Sequence, residues 1–174
     1  MKRILYLIFI LACAGFFISC DKGVEPEPEK PIYTDKMGFE GKVEFIGVWP
    51  AGIKRTHLVV FKETIKTSDD FFPPNLSFVI DSIPYKTQSF QYNSIENNFI
   101  PLFQLEPTTY KYIVIAQSKT PEISLDRKDW FIAGIYYNPG NNSEPGTLTL
   151  EEGKLLKEIN IVVDFNSPPP QPPM

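Results

Sequence analysis

Short apolar runs, each stopped by proline, glycine or asparagine, constrain this chain more than any other feature. Its 17 prolines fall mostly between these runs, and a proline inside a helix removes a hydrogen bond and clashes with the preceding turn. What remains between the breaks reads as strand. Tyr110-Lys111-Tyr112-Ile113-Val114-Ile115-Ala116 follows Glu106-Pro107 and is dense in β-branched and aromatic residues, the clearest strand signal in the chain. Residues 57–61 (HLVVF) are apolar on both faces, as in a buried central strand. Phe39, Gly41, Val43 and Phe45 fall on one face of a strand, with Glu40, Lys42 and Glu44 on the other. Residues 76–80, 89–92, 130–137, 147–150 and 159–165 read as further strands. Residues 99–105 approach another, which Pro101 places at an edge or a bend. Leu155, Leu156 and Ile159 have helical spacing, but Gly153 and the flanking strands favour a turn. The expected fold is all-β: a seven- to eight-stranded antiparallel β-sandwich over residues 37–166.

The first twenty residues, MKRILYLIFILACAGFFISC, stand apart. Lys2 and Arg3 precede an apolar run over residues 4–18. As a helix the run spans only ~22 Å, against ~30 Å of bilayer hydrocarbon, so it has the layout of a secretory signal peptide. Ser19 before Cys20, at the end of this run, resembles the lipobox of bacterial lipoproteins, although Phe17 stands where those usually carry Leu. The resemblance implies removal of residues 1–19, a lipid on the Cys20 sulfur and an acylated new N-terminus. The membrane is then a partner through that lipid, and the expected location is the cell envelope, at the outer membrane of a Gram-negative bacterium. The alternative is an ordinary signal peptide with a free Cys20. Cys13 would leave with the peptide, so no intramolecular disulfide is expected.

Residues 20–36 alternate proline with glutamate and cannot build a core. Prolines favour an extended spacer, which over residues 21–35 at ~3.1 Å per residue reaches about 45 Å. Asp21, Glu25, Glu27 and Glu29 loosely resemble the surface-export signals of some Gram-negative lipoproteins, and a plain solvated linker explains them equally well. The Pro-rich tail, residues 167–174 (SPPPQPPM), is expected to be disordered or extended. Formal net charge is −4, two units more negative once Lys2 and Arg3 leave. An acidic chain with no basic cluster is a poor nucleic-acid binder.

A second resemblance covers most of the expected domain. Leu105-x-Pro107-x-x-Tyr110-x-Tyr112-x-Val114 resembles the strand entry of transthyretin-like and carboxypeptidase-regulatory-like domains. Gly41-Lys42-Val43, Trp49-Pro50, Ala133-Gly134-Ile135-Tyr136 and Gly153 before the last strand fit the same pattern. Thr108 departs from it, standing where the family usually has Gly. The resemblance implies a seven-stranded prealbumin-like sandwich with a structural or binding role and no catalytic site.

Motifs of chemistry are scarce. The single histidine, His57, reads as a strand residue at the domain surface. With one histidine and no free thiol, a zinc site is not expected, and no cofactor motif is present. Asp69-Asp70 and Asp126-Arg127-Lys128-Asp129 lack the spacing of a calcium loop and read as solvated charge. Trp49, Trp130 and Tyr137 are candidates for an aromatic platform that stacks on sugars; core packing is the competing reading. Strict alternation would put Trp130, Ile132, Gly134 and Tyr136 on one face and Tyr137 on the other. Phe71-Phe72 beside Pro73-Pro74 suggests either an exposed loop for a partner or a cap on one end of the sandwich. Asp81-Ser82-Ile83 resembles the O-glycosylation site of some Gram-negative envelope proteins, on Ser82, and an ordinary turn explains it too. The expectation is a non-enzymatic, lipid-anchored structural or binding module. A glycan-binding accessory lipoprotein of a polysaccharide-uptake system and a fimbrial or assembly subunit are the alternatives.

Overall fold

The strand runs seen in the sequence form ten strands in a computed structural model that describes residues 36–174. They are β1 (Gly38–Ile46), β2 (Arg55–Phe61), β3 (Leu76–Val79), β4 (Ser89–Asn93), β5 (Thr109–Tyr110), β6 (Tyr112–Ser118), β7 (Trp130–Ile135), β8 (Leu148–Thr149), β9 (Leu155–Leu156) and β10 (Ile161–Asp164). The chain is all-β: among the described residues the only helical pieces are two 3-10 turns, Ser68–Phe71 and Arg127–Asp129. The signal peptide, Cys20 and the linker up to residue 35 lie outside the described residues.

The first sheet has the order β10-β1-β4, with β9 also beside β1, and the second the order β3-β2-β6-β7. The short β5 and β8 pair separately. Phe39, Val43 and Val163 of the first sheet meet Leu58, Val60 and Ile115 of the second in one fully buried cluster. Burial of each such side chain contributes about 1.5–3 kcal/mol. The second sheet is antiparallel throughout. In the first, β4 runs antiparallel to β1, whereas β9 and β10 run parallel to it. This corrects the expectation of a wholly antiparallel arrangement. Alternation tells which side of a strand is buried, but it carries no information about the direction of a neighbour arriving more than a hundred residues later.

Two close approaches hold the first sheet in register. A Cβ on Gly41 would stand 2.2 Å from the Ile159 carbonyl oxygen, so only glycine admits that backbone beside β1. The Ile159 amide in turn donates to the Glu40 carbonyl (3.1 Å), and the buried Tyr92 hydroxyl donates to the Ile159 carbonyl. The turn into β5 is pinned by Tyr110. Its hydroxyl accepts from the Glu106 N–H (2.8 Å) and donates to the Glu106 carbonyl (3.3 Å).

Several elements differ from their sequence expectation. The run 110–116 is divided at Lys111, where the chain leaves β8 and joins β2. The run 99–105 forms no strand; only Asn98 makes an isolated bridge, to Ile80. Leu155-Leu156, expected in a turn, pairs with Gly38-Phe39. Residues 167–174 are not free of the fold: the Gln171 side-chain amide accepts from the Ile132 N–H and donates to the Ile132 carbonyl, both at 2.8 Å. Prolines have no N–H for a ladder, so a glutamine side chain does at the β7 edge what a strand backbone would do, and covers an otherwise open edge.

Candidate functional site

The second sheet is buried on both faces. Its inner face meets the first sheet, while its outer face, carrying Val59, Phe61, Val114, Ala116 and Ile132, is covered by irregular chain. That cover comes from around Phe71-Phe72, from Phe99, Ile100 and Phe103, and from the turn before β7. Irregular cover does not interdigitate with a pleated surface as a second sheet does. A cavity of about 190 Å³ remains between sheet and cover, floored by His57, Val59, Val79 and Ala116 and walled by Phe71, Phe99, Ile100, Phe103 and Trp130. At its mouth stand Ile123 and the 81 % exposed Leu125, and Leu102, 86 % exposed, lies between the wall residues Ile100 and Phe103.

His57 is the one ionisable group in this wall. It is 1 % exposed, which corrects its expected place at the surface. The signal was in the strand itself: at period two His57 shares a face with Val59 and Phe61, and both faces of residues 57–61 read as buried. Nδ1 lies 3.0 Å from the Ile80 carbonyl oxygen. A carbonyl only accepts, so Nδ1 carries the hydrogen and Nε2 keeps its lone pair. Nε2 is buried and has no partner. Burial lowers the pKa below the ordinary 6.5, partly opposed by the bond to Ile80 and by Asp81, while Arg55 adds to the lowering. The ring packs against Phe99 (centroids 4.8 Å apart) and Trp130 (6.1 Å). Chemically, the cavity surface is apolar, and the His57 acceptor lies sealed behind it. The Ser124 hydroxyl at the edge of the cavity is donated to the Asp129 carboxylate.

Trp130 reaches this face through a bulge. In the β6–β7 ladder Ile115 opposes Gly134 and Ala116 opposes Ile132, leaving Ala133 as an extra residue. The insertion reverses the alternation. Trp130, Ile132 and Ile135 face outward, with Tyr137 packed beside them, while Ala133 and Tyr136 face the inner core. The expected grouping of Trp130 with Gly134 and Tyr136 is thereby corrected. Trp130 is held by its indole N–H, which donates to the Ser124 carbonyl at 2.8 Å.

Arg127 fastens the same corner. It is buried; Nη1 donates to the Trp130 carbonyl, Nη2 to the Pro172 carbonyl (3.2 Å), and the guanidinium lies 4.8 Å from the centre of the Phe71 ring. Its charge joins the tail, the β7 corner and the Phe71 loop, a role that its place in a charged tetrapeptide did not suggest.

The other candidates lie elsewhere. Trp49 is half-buried among Phe45 (4.6 Å), Phe165 (5.1 Å) and Tyr85 (5.5 Å), and its N–H donates to the Thr87 carbonyl. Phe45 and Phe165 pack on the inner core, so Trp49 shares no surface cluster with Trp130 and Tyr137. Ser82 is exposed in irregular chain after β3. Phe71-Phe72 neither stands free nor caps an end of the sandwich; it covers the outer face of the second sheet. Asp70 accepts from the Lys66 and Thr67 N–H groups, bonds that hold its carboxyl below the usual range, Lys66 contributing most. Asp126 pairs with Lys128 at 3.0 Å. Among the described residues no group of three or more His, Cys, Asp or Glu side chains is placed to hold a metal ion. Compared with known proteins, the chain matches no family model, no curated protein and no solved structure.

Proposed function

We propose that this is a lipid-anchored, non-catalytic binding module of the cell envelope, whose site is the apolar cavity on the outer face of the second sheet. The observation that carries the reading is that cavity: about 190 Å³, apolar walls and a mouth rimmed by exposed Leu125. An apolar pocket with few polar groups is the usual form of a small-molecule site. His57 makes its one side-chain bond to a backbone carbonyl and the neighbouring hydroxyl is taken by Asp129, an arrangement suited to holding a molecule rather than cleaving one.

The anchor rests on Ser19-Cys20 behind its apolar run, with the linker as spacer. The transthyretin-like type of sandwich rests on the Tyr110-pinned turn after Pro107 and on the close packing at Gly41. Thr108 is compatible with that turn: its amide donates to the Glu106 carbonyl at 2.8 Å. The separation of Trp49 from Trp130 gives a sugar-stacking platform no common face.

Two measurements test the reading. Mass spectrometry of the mature protein is expected to find Cys20 first, carrying acyl mass; a different, unacylated start removes the anchor. In a Trp49→Phe chain, Trp130 is the remaining indole, and saturable change of its fluorescence on adding toluene is expected. A response that rises linearly, without saturation, removes the binding site.

A further inference from the structure

We infer that the guest of the cavity is the end of one alkyl chain, carried by a single-chain amphiphile whose polar head stays in water at the mouth. This deepens the binding reading above and rests on it.

The lining comes first. Its surface is side-chain hydrocarbon from Val59, Val79, Phe99, Ile100 and Phe103. The polar atoms nearest to it are closed off: His57 Nδ1 bonds the Ile80 carbonyl and Nε2 is buried, the Trp130 N–H is donated to the Ser124 carbonyl, and the Ser124 hydroxyl to Asp129. A hydroxyl, amide or charge carried inside would exchange water for no partner. Whatever enters is therefore hydrocarbon along the whole of its buried part. Size comes second. A cavity of about 150 Å³ holds benzene in a well-studied protein interior, so about 190 Å³ takes one chain end and not two side by side. That sets a single-chain amphiphile apart from a two-chain lipid. The mouth comes third. Exposed apolar side chains are ordinary when scattered, but Ile123, 42 % exposed, and Leu125, 81 % exposed, stand together at this one opening. A ring held within the cavity would leave both in water, whereas a chain longer than the cavity covers them with its next methylenes. Glu122, Asp126 and Lys128, which flank these residues in sequence, are exposed, so a head group beside them keeps its hydration.

The test is titration calorimetry on the full wild-type chain, with toluene, the straight-chain alcohols from butanol to decanol, and the octanediol with a hydroxyl at each end as probes. Alcohol affinity is expected to rise about fourfold per added methylene, the transfer of one CH₂ out of water, and to level off once cavity and rim are covered. The diol would carry a hydroxyl in without a partner, and it is expected to bind about tenfold more weakly than octanol. Leu125→Ser is expected to weaken octanol about fourfold more than toluene, the equivalent of one methylene left in water. Should that variant fail to fold, the probe series on the wild-type chain decides the matter unaided. Phosphatidylcholine vesicles are expected to give no saturable heat; binding to vesicles with none to octanol would overturn the single-chain guest. A diol as tight as octanol, or an affinity that stops rising at butanol, would overturn the chain assignment, and saturable toluene binding would then leave the site standing. Saturable binding of no probe would overturn both.

Discussion

The two faces of the second sheet are made from the same strands and end differently. The inner face places Leu58, Val60, Ile113 and Ile115 against another sheet, and all four are wholly buried. The outer face places His57, Val59, Val114 and Ala116 beneath loops, and there a cavity remains. Two pleated layers share a period and interdigitate to native density. A loop fixed by its own turns and by Arg127 has no such period, so it roofs the sheet without filling it. The face that looks less regular is the one with room for a guest.

The largest test of this contrast removes bulk from each face. Ile115→Ala on the inner face is expected to lower unfolding free energy by about 2–5 kcal/mol, and Ile123→Ala at the cavity mouth by less than about 1 kcal/mol, read by chemical denaturation. Equal losses would dissolve the distinction. Adding bulk gives the converse. Ala133→Val on the inner face is expected to cost about 1–3 kcal/mol through overpacking, while Ala116→Val, projecting into the cavity, is expected to leave stability nearly unchanged and to exclude toluene. A smaller effect sharpens how the outer edge is closed. Gln171→Ala removes both partners of Ile132, for an expected loss of about 1 kcal/mol and faster hydrogen exchange at the Ile132 amide; unchanged exchange would show that the tail does not protect that edge.

The gentlest test uses pH. His57 in the folded protein has its pKa below the ordinary 6.5, chiefly through burial. As pH falls, the unfolded chain therefore takes the proton first. The contribution of the neutral ring is full above 6.5 and is lost as pH falls from there through the folded pKa. Subtracting the profile of His57→Phe is expected to leave a difference that declines below 6.5; a flat difference would place the ring in a wetter site than its contacts indicate.

Much of this was legible in the residues. The five-residue run 57–61 is buried along nearly its whole length, and β1 carries the expected alternation at Phe39 and Val43. Ile159, Ile161 and Val163 face the core as their spacing predicts. The site was legible only in pieces. Phe71-Phe72 and residues 99–105 stand out as apolar stretches, and His57 opens a buried strand, but no local pattern says that the three meet. The bulge at Ala133 was equally hidden, because WFIAGIYY keeps its composition whether or not a residue is skipped. Gln171 sits in a proline tail whose composition speaks only of extended chain.

By itself, the sequence determined that the chain is built of strands and which of them lie deep, because period two and β-branched density are local properties that a short window displays. Tertiary structure alone decided that β10 returns parallel to β1, that Trp130 turns outward, and that His57 is sealed beneath a cover that leaves a cavity. Those outcomes depend on what covers a face, and the cover arrives from segments far along the chain, where local periodicity has no reach.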